Sequence, residues 1–235
     1  MKSAILKVSN LSVVLNGNSI LDKISFSLPA GELLMVLGPN GAGKSVLVKA
    51  ILGVVPYSGR INYSFQQKDD RKRIGYVPQY IDFDRSIPLT VFEVVEFGLL
   101  GLKVANFRRE IGKMISLVGL KGKENDSFGS LSGGQARRAL IAQAMIGGPR
   151  LLILDEPMAG VDLIGEKTFY ETLSSWKKEN NMSIILVSHD YNLVNKMADK
   201  VLCLNKQMVC FSTPENMSGD SFEKLFGHKA MIHRH

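Results

Sequence analysis

Eight consecutive residues, Gly38-Pro39-Asn40-Gly41-Ala42-Gly43-Lys44-Ser45, have the types and spacing to hold a phosphate chain. Glycines let a loop wrap closely enough for its backbone N–H groups to face phosphate oxygens. Lys44 can then reach the β- and γ-phosphates, and the Ser45 hydroxyl can join a Mg²⁺ shell. The pattern G-x-x-x-x-G-K-[ST] carries this meaning only between a strand and a helix. Here the apolar run Leu33-Leu34-Met35-Val36-Leu37 precedes it, and the helix-like run Val46-Leu47-Val48-Lys49-Ala50-Ile51-Leu52 follows. The helix start adds unpaired N–H groups and the positive end of a dipole, so Gly38 through Val46 form one candidate phosphate site. The expected ligand is a nucleoside triphosphate.

A second run, Leu151-Leu152-Ile153-Leu154-Asp155, is apolar until it ends in a carboxylate, with Glu156 next. Such a run suits a fully buried parallel strand, whose C-terminal end is where α/β sheets carry their chemistry. Asp155 is expected to hold Mg²⁺ through water, and Glu156 to polarise an attacking water. Taken alone, Asp155-Glu156-Pro157 also suits a simple strand end; the phosphate loop in the same chain favours the chemical reading.

The elements that must position these groups follow from periodicity. Residues 4–28 alternate in period two around Asn16-Gly17-Asn18, which predicts an antiparallel hairpin. Pro29-Ala30-Gly31 turns the chain into the phosphate-site strand, and Arg60–Tyr63 and Arg73–Val77 read as short strands. Residues 89–120 have helical spacing, and another helix follows Leu131-Ser132-Gly133-Gly134-Gln135 through about Ile146. The remainder alternates: strand 151–155, helix about 163–179, strand 183–188, helix 190–198, then strands near 200–204 and 208–211. That alternation predicts an α/β fold with a parallel core.

Composition bounds the rest. With 235 residues, the chain has ample length for a packed core, and 45% apolar and 22% charged residues are ordinary for a globular protein. No apolar run approaches the roughly 18–20 residues needed to cross a bilayer, and the N-terminus does not read as a signal peptide. Cys203 and Cys210 suggest no disulfide framework and read as small buried hydrophobes in a reducing compartment, with metal ligation as the alternative. The net charge of +7 suits anionic partners, but basic residues are mixed with acids, as in Lys68-Asp69-Asp70-Arg71-Lys72-Arg73, rather than gathered into a nucleic-acid patch.

Ser132 is a good N-cap, and the glycines behind it expose N–H groups at a helix start, a second anion site with no lysine of its own. Set between the phosphate loop and the acidic strand, Leu131-Ser132-Gly133-Gly134-Gln135 resembles the signature motif of ATP-binding cassette (ABC) ATPases. Gln79, after Ile74-Gly75-Tyr76-Val77-Pro78, is similar to the Q-loop glutamine of that family. Gly160-Val161-Asp162 resembles its D-loop, and His189 in Leu186-Val187-Ser188-His189-Asp190 its switch histidine. The resemblance spans nearly the whole chain.

The resemblance implies one α/β domain over residues 1–235: a phosphate-loop core with a mixed, largely parallel sheet, an N-terminal antiparallel β subdomain and an inserted helical subdomain at about 89–145, with 220–235 as a tail. It implies two copies of the chain sandwiching two ATP molecules. Ser132, Gly133 and Gly134, within the Leu131–Gln135 signature, then serve the partner's γ-phosphate. Gln79 contacts Mg²⁺ and the attacking water, Ser45 and Asp155 complete the metal shell, and His189 holds the closed geometry, with Asp162 in the D-loop. Integral-membrane permease subunits are the implied partners, at the cytoplasmic face of the inner membrane, with no nucleic acid. Ile87-Pro88-Leu89-Thr90-Val91 resembles ATPases of metal-ion uptake systems for zinc, manganese or iron, and Val201-Leu202-Cys203-Leu204-Asn205 with Thr213-Pro214-Glu215 looks most like the zinc branch. A periplasmic or lipoprotein metal-binding protein would then be an indirect partner. An ABC ATPase for another substrate, a non-transport ABC protein and a nucleotide-gated module without turnover are the competing readings. Three positions depart from the family pattern: Leu15 where an aromatic usually stacks on adenine, Val46 where a second hydroxyl is usual, and Met158 after Asp-Glu-Pro. His228, His233 and His235 crowd the C-terminus and read as a solvated tail.

Overall fold

In chain order the elements are β1 (Ala4–Leu15), β2 (Asn18–Pro29), β3 (Leu33–Leu37), α1 (Lys44–Ile51), β4 (Ser58–Tyr63) and β5 (Ile74–Val77). Then come α2 (Val91–Glu96), α3 (Phe107–Leu117), α4 (Gly133–Ile146), β6 (Leu151–Asp155) and α5 (Leu163–Asn180). The chain closes with β7 (Ser183–Val187), α6 (Val194–Met197), β8 (Lys200–Asn205) and β9 (Gln207–Ser212). This computed structural model describes residues 3–65, 74–80, 84, 86–157, 163–189 and 193–217, without the side chains of 163–168. They belong to two units, Met1–Gln66 with Ser183–His235, and Gln67–Met182.

In the first unit the alternating stretch becomes the hairpin β1–β2, turning where Asn16 and Gly17 both take positive φ. β4 pairs antiparallel with the other edge of β1, giving the order β2-β1-β4. β3, buried at every position, pairs parallel with both β7 and β8, and β9 closes an antiparallel hairpin with β8. A strand with a neighbour on each side and no exposed residue reads as a continuous apolar run, which is why residues 33–37 show no alternation. The Phe26 and Phe211 rings, 6.2 Å apart between centroids, bring β2 against β9.

The cysteine expectation is corrected here. The hairpin of β8 and β9 sets Cys203 opposite Cys210, with Cα atoms 4.8 Å apart, and the two form a disulfide. A spacing of seven residues says nothing by itself; the register of the hairpin brings the thiols together.

In the second unit β5 and β6 are a parallel pair in the register Ile74↔Leu151 to Val77↔Leu154. α4 lies against β5 so closely that a Cβ on Gly75 would stand 2.2 Å from the Ala144 carbonyl oxygen. Only a glycine permits that approach. The helical stretch expected at 89–120 is divided: α2, a 3₁₀ turn at Phe97–Leu99, and α3. The division follows Gly98-Leu99-Leu100-Gly101, where two glycines in four residues weaken a helix. α2 starts on a capping box, in which Thr90 Oγ1 accepts from Glu93 N and Glu93 Oε2 accepts from Thr90 N. The helix expected at 190–198 is described only from Leu193 onward, as α6. Among the described residues no helix is long and apolar enough to cross a membrane.

Candidate functional site

The functional side chains fall into one group in each unit. In the first unit, the loop between β3 and α1 is built of backbone. Gly43 caps α1 at φ +96°, and a Cβ there would lie 2.7 Å from Leu21 Cδ2, so conformation and space both require glycine. Ala42 N donates to Pro39 O at 3.2 Å, and Lys206 N donates to Ala42 O at 3.0 Å, which ties the loop to the β8–β9 turn. Asn40 and Gly41 are exposed at its rim, and no acidic side chain occupies the first turn of α1. Lys44 is 7% exposed; its Nζ donates to the carbonyl oxygens of Gly38 at 2.8 Å and Pro39 at 3.0 Å. The ammonium is therefore held against the loop. Ser45 and Val46 are half-buried on the same first turn.

His189 reaches this group through the sheet. β3 and β7 pair in the register Val36↔Val187, and Ser188 N donates to Val36 O at 3.3 Å. Gly38 and His189 thus leave the same C-terminal edge, each two residues beyond that last pair, with His189 exposed. Leu15 ends β1 half-buried opposite Asn18, beside the exposed Val14.

In the second unit, the register of β5 and β6 places Gln79 and Glu156 each two residues beyond the pair Val77↔Leu154. Their side chains meet: Gln79 Nε2 donates to Glu156 Oε2 at 2.6 Å. Asp155, one residue earlier, is 2% exposed. Burial, and after it the Asp155 carboxylate, raises the Tyr76 phenol above its ordinary pKa. Glu156 sits at φ +47°, in the left-handed region. Non-glycine residues enter that region at a cost, and functional sites are where such residues gather.

A third participant was not foreseen from the sequence. Arg137, on α4, donates from Nη1 to Glu156 O and from Nη2 to Gln79 O. Its signal was visible: Arg137, Ile141 and Met145 share one buried helix face, so a charge stands where spacing calls for a core residue. α4 itself starts as expected, with Ser132 Oγ accepting from Gln135 N at 3.3 Å and Gln135 Oε1 accepting from Ser132 N at 3.1 Å. Leu131 is buried beneath this cap, whereas Ser132 and Gly133 are exposed. Asp162 and Met158, and the histidines His228, His233 and His235, lie outside the described residues.

A phosphate loop, a capped Ser-Gly-Gly helix start and an Asp-Glu strand end all fall within residues 21–159, which match the profile of the ABC transporter family. The chain belongs to the ABC transporter family. As an ABC ATPase it resembles the zinc import ATP-binding protein ZnuC 2 of Aliivibrio fischeri, at 39% identity over 95% of this chain and 88% of that protein. Zinc import ATP-binding protein ZnuC of Buchnera aphidicola is 37% identical over 96% of this chain and 91% of that one. Among solved structures, an inward-facing ABC transporter described as of the metal-chelate type superposes with a TM-score of 0.82 at 29% identity. That superposition covers 97% of the ABC ATPase and 90% of the solved chain.

Proposed function

We propose that this ABC ATPase powers the import of a divalent metal ion, zinc foremost, with Glu156 as the general base of ATP hydrolysis. The observation that carries the hydrolytic reading is the 2.6 Å contact between Gln79 and Glu156 at the end of a buried strand pair. It fixes the carboxylate beside an amide that can also hold water, as a base that orients its nucleophile requires. In this reading the backbone of Gly38–Ser45 and the Lys44 ammonium hold the triphosphate, with Val46 completing the first helical turn. Ser45, Gln79 and Asp155 offer hard oxygen donors, the set that Mg²⁺ prefers, and are the residues that would hold it. Bound there, Mg²⁺ would neutralise charge on the phosphate oxygens. His189, at the sheet edge that also carries the phosphate loop, would steady the γ-phosphate, and the D-loop role is assigned to Asp162 by the family resemblance alone.

Exposed Ser132 and Gly133 support a role for the signature helix toward a second copy of the chain, whose γ-phosphate would meet the N–H groups at the start of α4. Exposed Ile87, Phe97 and Leu100 support docking of the 87–102 stretch on a cytoplasmic helix of a permease subunit. The peripheral position at the inner membrane and the periplasmic or lipoprotein metal-binding partner follow from that assembly.

The cargo rests on the relatives named for zinc import. Reconstitution of the chain with its permease in vesicles, supplied with the metal-binding protein, tests it. ATP-dependent zinc uptake exceeding manganese uptake is the expected result. Uptake that prefers manganese, or ignores both metals, contradicts the zinc reading.

A further inference from the structure

Among the residues whose burial is described, three charged side chains are buried: Lys44, Asp155 and Arg137. The first two have roles in nucleotide chemistry. Arg137, 5% exposed, has none in the account so far. A guanidinium taken out of water is costly unless its donors are satisfied, and its site here is specific. Nη1 donates to the carbonyl oxygen of Glu156 and Nη2 to that of Gln79. The side chains of those two residues, 77 positions apart in sequence, hydrogen-bond to each other. Three bonds therefore close a ring through α4, the end of β5 and the end of β6.

The ring acts on backbone in an unfavourable conformation. Glu156 stands in the left-handed region, which a non-glycine residue leaves unless its surroundings fix it. The peptide whose carbonyl Arg137 holds sets the direction of the Glu156 side chain. Arg137 grips the carbonyl, and Gln79 takes carboxylate Oε2, so backbone and side chain are oriented by different partners. Burial lowers the Arg137 pKa, while the carboxylates of Glu156 and Asp155 oppose that shift. An arginine keeps its proton in proteins, so the clamp holds its charge across the working pH range.

We propose that Arg137 is a positioning residue for hydrolysis: its guanidinium clamps the Glu156 and Gln79 backbones so that the base and the Q-loop amide keep one geometry. Arg137 lies five residues beyond the Ser132 cap on the same helix, so the clamp also ties the base to the signature helix. This role rests on the reading of Glu156 as the general base.

The test is steady-state ATPase kinetics of the full chain with Arg137→Met, Arg137→Lys and Arg137→Gln, each checked for its unfolding temperature. Misplacing a base by about 1 Å costs on the order of 10²-fold, so Arg137→Met is expected to lower kcat by about 10- to 100-fold. KM for ATP should stay within about threefold, because nucleotide affinity resides in the phosphate loop. Arg137→Lys, which keeps the charge but lacks the planar fork that spans both carbonyls, should recover part of kcat. In a Glu156→Gln background Arg137→Met should cost nothing further, since a base already absent cannot be misplaced. Should Arg137→Met fail to fold, the order Arg above Lys above Gln in kcat at constant KM supports the role, and equal kcat in all three overturns it. A full additional loss in the Glu156→Gln background, or a KM that rises with the fall in kcat, also overturns it. Parent-like turnover by Glu156→Gln alone would instead remove the base assignment, which separates that failure from failure of the clamp.

Discussion

The phosphate loop and the Gln79–Glu156–Arg137 cluster, which the proposed function assigns to one reaction, are built in opposite ways. The loop is continuous in sequence, made of backbone, and shaped by glycines such as Gly43 whose Cβ would strike Leu21. The cluster draws one residue from each of three distant segments and is held by side chains reaching across. A contiguous site depends on local conformation and so fixes affinity for a common group, the triphosphate. An assembled site depends on the mutual placement of its segments, so small displacements alter rate. The contrast predicts that damage to the loop appears in binding and damage to the cluster in turnover.

The largest effect should come from the cluster. Glu156→Gln is expected to lower kcat by about 10²–10⁴-fold, the ordinary cost of losing a general base, with ATP affinity maintained or improved. Single-turnover hydrolysis alongside nucleotide titration measures both. Turnover near the parent value would break the contrast at its strongest point. Next, Lys44→Ala should weaken ATP binding itself. A charge-assisted hydrogen bond contributes about 1.5–3 kcal/mol, so affinity should fall by roughly 10- to 150-fold. Normal ATP affinity in that variant would mean the loop does not hold the phosphates.

The smallest effect concerns the base of the nucleotide. Loss of aromatic stacking costs about 1–3 kcal/mol per base, and Leu15 retains some apolar contact, so Leu15→Tyr should bind ATP several-fold more tightly and separate ATP from GTP more sharply. Parallel titrations with the two nucleotides would sharpen the claim that the loop supplies most of the affinity. A variant that binds no better, or unfolds, assigns half-buried Leu15 to the core and directs attention to Tyr57, which is 41% exposed.

The same contrast governs what could be read in advance. The loop, the Ser132 cap and strands β3 and β6 were legible because each is encoded by neighbouring residues: glycine offsets, an N-cap, an unbroken apolar run. The meeting of Gln79 with Glu156 was legible only as an expectation of roles, since it depends on the register Val77↔Leu154 between strands far apart in sequence. Arg137 was missed because no local rule connects a helix residue to two distant carbonyls. Its clue was a charge on the face shared with Ile141 and Met145. The pairing of Cys203 with Cys210 was missed for a related reason: seven residues apart, they meet only because a hairpin aligns β8 and β9.

The central claim is that the exposed start of α4 serves the nucleotide of a second copy of the chain. Sedimentation of Glu156→Gln with ATP, with and without Ser132→Arg, tests it most directly. The arginine side chain would fill the space at the helix N-terminus that the partner's γ-phosphate must enter, while the phosphate loop is untouched. The account predicts an ATP-dependent dimer for Glu156→Gln and a monomer with equal ATP affinity once Ser132→Arg is added. The same ATP-dependent dimer in both proteins would contradict it and leave Ser132 as a helix cap alone.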